Sequence, residues 1–179
     1  SQIVANFTMM QSFAGIGHVD GVYWTLVYEI TFYFAVFAIL FLGLQKHLNS
    51  IFIFWPAVFC IAIVAGIQSK PYLGGYYYYF SAGALFALLA DKFDRRAVFS
   101  LVATYVLCLY FSVSQASHLT ESKGVEYSAI VIGIIVTSFF LLFVFQNSKM
   151  GRSLSLPMSR MAGALTYPIY LIHAHFGYM

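Results

Sequence analysis

A threonine, a glutamate and a tyrosine recur at four-residue spacing in an otherwise apolar segment. Glu29 is the only charged residue in residues 22–44, and Thr25 and Tyr33 lie four positions before and after it. Residues four apart share one face of a helix, so the three side chains predict a polar face. Carboxylates at membrane depth are rare and usually functional, and this one would suit acid–base chemistry. The alternative is a carboxyl group that only holds helices together.

A second polar face is predicted near the end of the chain. Thr166, Tyr170, His173 and Gly177 are spaced by four, three and four residues. Glu29 and His173 each lie roughly 10 Å or slightly more inside their segments, entering from opposite sides of the membrane. They could therefore approach each other along the membrane normal. The alternative is a histidine hydrogen-bonded to a neighbouring tyrosine or carbonyl group.

Other polar and aromatic residues give weaker signals. Trp24 and Tyr28 predict an aromatic face beside Glu29, and Asp20 lies where a polar substrate could bind, or in a solvated loop. Arg95 and Arg96 could contact an anionic ligand such as a nucleotide phosphate, although control of membrane topology is the simpler role.

Composition defines the elements that must position these residues. Of the 179 residues, 61% are hydrophobic and 8% are charged, whereas an ordinary soluble domain has about 25% charged residues. We therefore predict an all-α, polytopic transmembrane helix bundle. Cys60 and Cys108 lie in apolar segments, which indicates packing residues and neither a disulfide nor a metal site. The basic residues fall in loops, so no nucleic-acid partner is expected.

Charged residues divide the chain into six predicted spans. They cover residues 22–44, 51–67, 71–90, about 97–114, about 129–145 and about 164–179. Pro56 lies inside the second span and is expected to kink it. Residues 1–179 are predicted to form one transmembrane domain that is truncated at both ends.

The loops carry an orientation signal. Seven of the nine Lys and Arg residues fall in loops 45–50, 91–96 and 146–163, and the other two are Lys70 and Lys123. The positive-inside rule therefore predicts that the three basic loops are cytoplasmic and that the Asp20 end of the first span is extracytoplasmic. The tyrosine run at residues 76–79 then opens its span at the outer side, where an aromatic belt is expected.

Three sequence elements resemble one known family. DGVYWTLVYEITFY at residues 20–33 resembles the D-G-x-x-W-[ST]-L-x-x-E-x-x-F-Y signature of the acyltransferase 3 family of integral-membrane acyltransferases. ALTYPIYLIH at residues 164–173 is similar to that family's G-x-x-S-Y-x-x-Y-L-x-H helix, with Thr166 in place of serine. YFSAG at residues 79–83 is similar to its Y-F-x-x-G element, and residues 79–84 also read as a small-residue patch for close helix packing.

The resemblance implies a fold of about ten helices, of which this chain supplies the middle and later ones. It implies transfer of an acyl group, often acetyl, from cytosolic acyl-CoA to a hydroxyl of an extracytoplasmic carbohydrate or lipid-linked glycan, with acyl-CoA as a substrate and no bound cofactor. The family's catalytic histidine belongs to an earlier helix that this chain lacks, so the chain alone is expected to be inactive. Glu29 and His173 would have supporting catalytic roles. The expected substrate-binding residues are Asp20, Trp24, Tyr28, Tyr33, Tyr167 and Tyr170.

Two other interpretations remain open. A transporter or permease segment could use Glu29 and His173 as an intramembrane proton or substrate relay. The chain could also be a nonfunctional gene product. Composition and topology fit a transporter equally well, whereas the three motifs favour a multi-pass acyltransferase of the cytoplasmic membrane.

Overall fold

The computed structural model describes residues 23–124 and 126–153, without the side chains of residues 23–26, 122 and 123. This part of the chain is helical and contains no strand. The helices are α1 (Tyr23–Phe41), α2 (Leu48–Val64), α3 (Tyr77–Asp91), α4 (Arg95–Lys123), α5 (Ala129–Asn147) and the short α6 (Lys149–Ser153), with a 3-10 turn at Leu44–His47 before α2. Residues of α1 up to Ala38 belong to a different unit from Ile39–Ser153, so the two are described separately.

Three helical segments are long and apolar enough to cross a membrane. They are Leu44–Val64, Arg95–Glu121 and Ala129–Asn147, and Val27–Phe41 is a shorter apolar helix. The predicted all-α membrane class is thus supported for the described residues. The sixth predicted span, residues 164–179, lies outside them.

The third predicted span, residues 71–90, begins too early. Residues 65–76 form turns, in which Tyr72 has a φ of 65° and Gly75 a φ of 66°, and α3 begins only at Tyr77. Only a glycine allows the backbone at position 74 to lie this close to the backbone of Gln68, because a Cβ at Gly74 would lie 2.6 Å from the Gln68 carbonyl oxygen. The 15-residue α3 is about 22 Å long, which is shorter than a hydrocarbon core of about 30 Å.

The fourth predicted span, in contrast, ends too early. Helix α4 has 29 residues and runs about 43 Å, through the polar segment that was expected to form a loop. Its first turn is capped by the Asp94 carboxylate, which accepts from the Arg96 amide at 2.8 Å. Its last turn ends at Gly124, whose φ of 67° suits the left-handed cap that a glycine adopts readily.

The core of the second unit lies between α2, α3 and α4. Phe59, Tyr78 and Leu85 are almost completely buried, and the Phe59 and Tyr78 rings meet edge to face at 4.7 Å. Tyr77 and Tyr78 are only 4% and 2% exposed, so two members of the tyrosine run pack in the core and do not form an exposed aromatic belt. Pro56 is also buried and lies within α2, which continues on both sides of it.

Side-chain hydrogen bonds join the helices of this unit. Ser100 donates to the Ile53 carbonyl at 2.6 Å, the Tyr105 and Thr137 hydroxyls lie 2.8 Å apart, and Asn147 donates to the Phe86 carbonyl at 3.0 Å. The last bond joins the final residue of α5 to the second half of α3. Such bonds within a membrane are each worth about 0.6 kcal/mol on average.

Candidate functional site

The four-residue spacing around Glu29 produces a side-chain contact on α1. The Tyr33 hydroxyl donates to Glu29 Oε1 at 2.8 Å, one helical turn away. Glu29 is partly exposed and Tyr33 is 58% exposed, so this pair lies on an accessible face of the helix. The phenol fixes one carboxylate oxygen and leaves the other able to accept a further proton or hydrogen bond.

The aromatic face beside this pair is defined in part. Tyr28 is a partly exposed residue of α1, and Trp24 belongs to the first turn of the same helix, although its side chain is outside the described part. The remaining predicted site residues lie outside the described residues, namely Asp20, Tyr167, Tyr170 and His173. The predicted approach of Glu29 and His173 therefore stays a prediction.

The two predicted arginines open α4 at the edge of a cavity of about 890 Å³. Arg95 and Arg96 line it together with Asn49 and Lys92, and Asp91 and Asp94 contribute carboxylates. Three cations against two carboxylates leave one net positive charge, and one of those carboxylates caps α4. Sequence reasoning identified the arginines but not Asn49, which comes from the start of α2 and is joined to them only by the fold.

A second cavity, of about 470 Å³, continues from the first along the groove between α2 and α4. Ile53 and Arg96 line both cavities, whereas the other residues of the second one are almost all apolar or small. No sequence pattern indicated this groove, because its two walls lie about 40 residues apart in the chain.

A third cavity, of about 440 Å³, lies between α3 and α5. Aromatic side chains dominate its walls, among them Phe86, Phe139 and Phe143. Gly83 also lines it, and a Cβ at Gly83 would meet nothing within 4 Å. Within the predicted small-residue patch, Ser81 and Ala82 are buried, whereas Gly83 lines the cavity and makes no close helix contact.

The described residues contain no group of three His, Cys, Asp or Glu side chains that could hold a metal ion. Comparisons with protein-family models, with curated proteins and with solved structures found no match to this chain. The fold thus defines the class of the described part as an all-helical protein with three helices long and apolar enough to span a membrane.

Proposed function

We propose that this chain is part of a membrane acyltransferase of the acyltransferase 3 type, which moves an acyl group, most simply acetyl, from acyl-CoA to a hydroxyl of an extracytoplasmic carbohydrate or glycan. The observation that carries the proposal is the Glu29–Tyr33 hydrogen bond, because both residues are signature positions of the motif at residues 20–33. A transporter relay would not require the tryptophan, threonine and aromatic residues that surround the glutamate in that motif.

In the proposed reaction the acceptor hydroxyl oxygen attacks the thioester carbonyl carbon. A carbon–oxygen bond forms, the carbon–sulfur bond breaks, and the hydroxyl proton ends on the released CoA thiol. A histidine from another helix of the fold is the general base, and Glu29 orients it or stabilises its positive charge. Tyr33 holds the Glu29 carboxylate in one rotamer, so Tyr33 is a positioning residue.

The two substrates approach from opposite sides in this proposal. The basic segments, with Arg95 at the start of α4, face the cytoplasm and the CoA phosphates, and the Asp20 end of α1 faces the acceptor. Trp24 and Tyr28 beside Glu29, with Tyr167 and Tyr170 of the second motif, contribute the aromatic surfaces on which sugar rings commonly pack. His173 supports the same site from the opposite side of the membrane.

The test uses the longest natural chain that contains these residues, expressed in membranes and supplied with radiolabelled acetyl-CoA. Glu29→Gln is expected to abolish transfer to extracytoplasmic glycan, and Tyr33→Phe to lower it by about tenfold, the effect of one hydrogen bond to a charged group. Glu126→Gln, an exposed carboxylate in the loop before α5, is the matched control and is expected to retain activity.

If all three variants are present in the membrane in equal amounts, a loss of acyl transfer reflects a lost catalytic contribution and not a failure to fold. Undiminished glycan acetylation in Glu29→Gln would refute the role given to the carboxylate. Proton-coupled solute uptake that depends on Glu29, without any acyl transfer, would favour the transporter interpretation instead.

A further inference from the structure

The groove between α2 and α4 has the shape and polarity of a site for one hydrocarbon chain. Ala57 and Ala103, one from each helix, line it with small side chains, and Phe54 and Phe99 rise beside them at 62% and 77% exposure. The Ser100 hydroxyl, which donates to the Ile53 carbonyl at 2.6 Å, ties the two helices together beside the groove. Its volume of about 470 Å³ falls in the range of ligand sites, about 300–1,000 Å³.

The groove extends about two helical turns into the apolar part of the bundle. Ile53 and Cys60 on α2, and Arg96 and Ala103 on α4, are each seven residues apart, which is about 10 Å along a helix. Arg96 lies at one end, immediately before the apolar run of α4, and therefore at the border of the hydrocarbon region whichever side of the membrane this end faces.

Where the groove meets the polar cavity, three cationic side chains (Lys92, Arg95 and Arg96) stand against two carboxylates (Asp91 and Asp94), which leaves one net positive charge. Within the described part of the chain, no ion pair engages the side chains of Lys92, Arg95 or Arg96. Arg96 and Ile53 line both cavities, and Asn49 adds an amide donor to the polar one. A basic pocket between membrane helices, continuous with an apolar groove, is complementary to an anionic headgroup that carries a hydrocarbon tail.

We propose that this composite site binds one anionic phospholipid of the surrounding bilayer. Arg96 binds the phosphate, Asn49 and Lys92 contact the headgroup, and one acyl chain lies along the α2–α4 groove towards Cys60. This lipid site is separate from the proposed acyl transfer and does not depend on it. Arg95 lines the polar cavity but not the groove, so it remains the arginine available to a CoA phosphate.

A cysteine that lines the groove can serve as a chemical probe of its occupancy. Cys60 lines it and is exposed, whereas Cys108, the other cysteine, is completely buried. The protein is delipidated in detergent and reconstituted into vesicles of phosphatidylcholine alone or of phosphatidylcholine mixed with phosphatidylglycerol. The rate of Cys60 alkylation by a membrane-permeable maleimide is then followed by mass spectrometry. The anionic lipid is expected to slow alkylation several-fold.

Two pairs of matched variants make the test specific. Arg96→Gln is expected to raise about tenfold the proportion of phosphatidylglycerol needed for half-maximal protection, as the loss of a charge-assisted hydrogen bond, and Arg95→Gln to leave that proportion nearly unchanged. Ala103→Phe fills the groove and is expected to abolish co-purification of phosphatidylglycerol. Val106→Phe introduces the same side chain at an exposed position of α4 that does not line the groove, and is expected to retain the lipid.

Three outcomes would overturn the proposal. Equal protection by pure phosphatidylcholine would remove the role of the headgroup charge. A Cys60 that resists alkylation in delipidated protein would show that another part of the protein fills the groove. Protection by acyl-CoA but not by phosphatidylglycerol would give the site to the acyl donor. Each of these outcomes would leave the proposed function untouched, because that function is measured separately, as glycan acetylation by the longest natural chain that contains these residues.

Discussion

Two serine hydroxyls, Ser112 on α4 and Ser81 on α3, differ in their hydrogen bonding. The Ser112 hydroxyl donates to the Cys108 carbonyl at 2.7 Å and also pairs with the Tyr79 hydroxyl of α3. The Ser81 hydroxyl, which is completely buried, has no hydrogen-bond partner within the part of the chain that the structure describes. Burial of an unsatisfied polar group is unfavourable, so Ser81 weakens the core in which it lies.

Replacement of Ser81 by alanine is therefore expected to stabilise the protein. Ser81→Ala removes the unsatisfied hydroxyl with almost no change of volume, and the free energy of unfolding should rise by about 1 kcal/mol. Ser112→Ala is the matched control, because it removes a hydroxyl that has two partners and should lower the stability by a similar amount. Thermal unfolding in one detergent measures both, and a lower midpoint for Ser81→Ala would contradict the expectation.

At the same scale, the Glu29–Tyr33 contact could be predicted from the sequence, and the composite lipid site could not. The first depends on residues one turn apart in a single helix, so helical periodicity suffices. The second joins Asn49 of α2 to Arg96 of α4, and only the packing of the two helices brings them to one cavity.

The length of the apolar runs predicted some helix boundaries, whereas the others depend on backbone conformation at turns and caps. The predicted span at residues 129–145 is close to α5, Ala129–Asn147, because a uniformly apolar run ends where polar residues begin. The start of α3 was predicted too early because hydropathy does not show where the backbone turns. Tyr72 and Gly75 have positive φ values, and Gly74 lies close to the backbone of Gln68, so the helix cannot begin before them. The end of α4 was missed because its polar last turns stay helical until Gly124.

The cap of α4 gives a prediction about this last boundary. Gly124→Ala places a side chain at a φ of 67°, so it should destabilise the protein by about 1 kcal/mol. Gly133→Ala is the control of opposite sign, because Gly133 lies inside α5, a Cβ there would meet nothing within 4 Å, and alanine is the better helix former. Unfolding midpoints of the two variants should shift in opposite directions, and equal shifts would show that the cap does not end the helix.

Across the whole molecule, the number of membrane crossings determines on which side each loop lies. If α4 and α5 each cross once, Lys92 and Lys149 lie on one side and Glu126 lies on the other. The positive-inside rule further predicts that Lys92 and Lys149 are cytoplasmic. Helix α3 alone is shorter than the hydrocarbon core. The side of the membrane on which Lys70 lies therefore tests whether α3 crosses the membrane together with the turns that precede it.

Single cysteines introduced at these four positions, in a background with Cys60→Ser and Cys108→Ala, test this topology in intact cells with a membrane-impermeant maleimide. Glu126→Cys should be labelled from outside, whereas Lys92→Cys and Lys149→Cys should be labelled only after the membrane is permeabilised. Lys70→Cys should behave like Glu126→Cys if residues 65–91 cross the membrane. Labelling of Lys92→Cys and Glu126→Cys from the same side would exclude a crossing by α4. Labelling of Lys92→Cys from outside would in addition exclude the cytoplasmic position of the neighbouring Arg95, on which the approach of acyl-CoA depends.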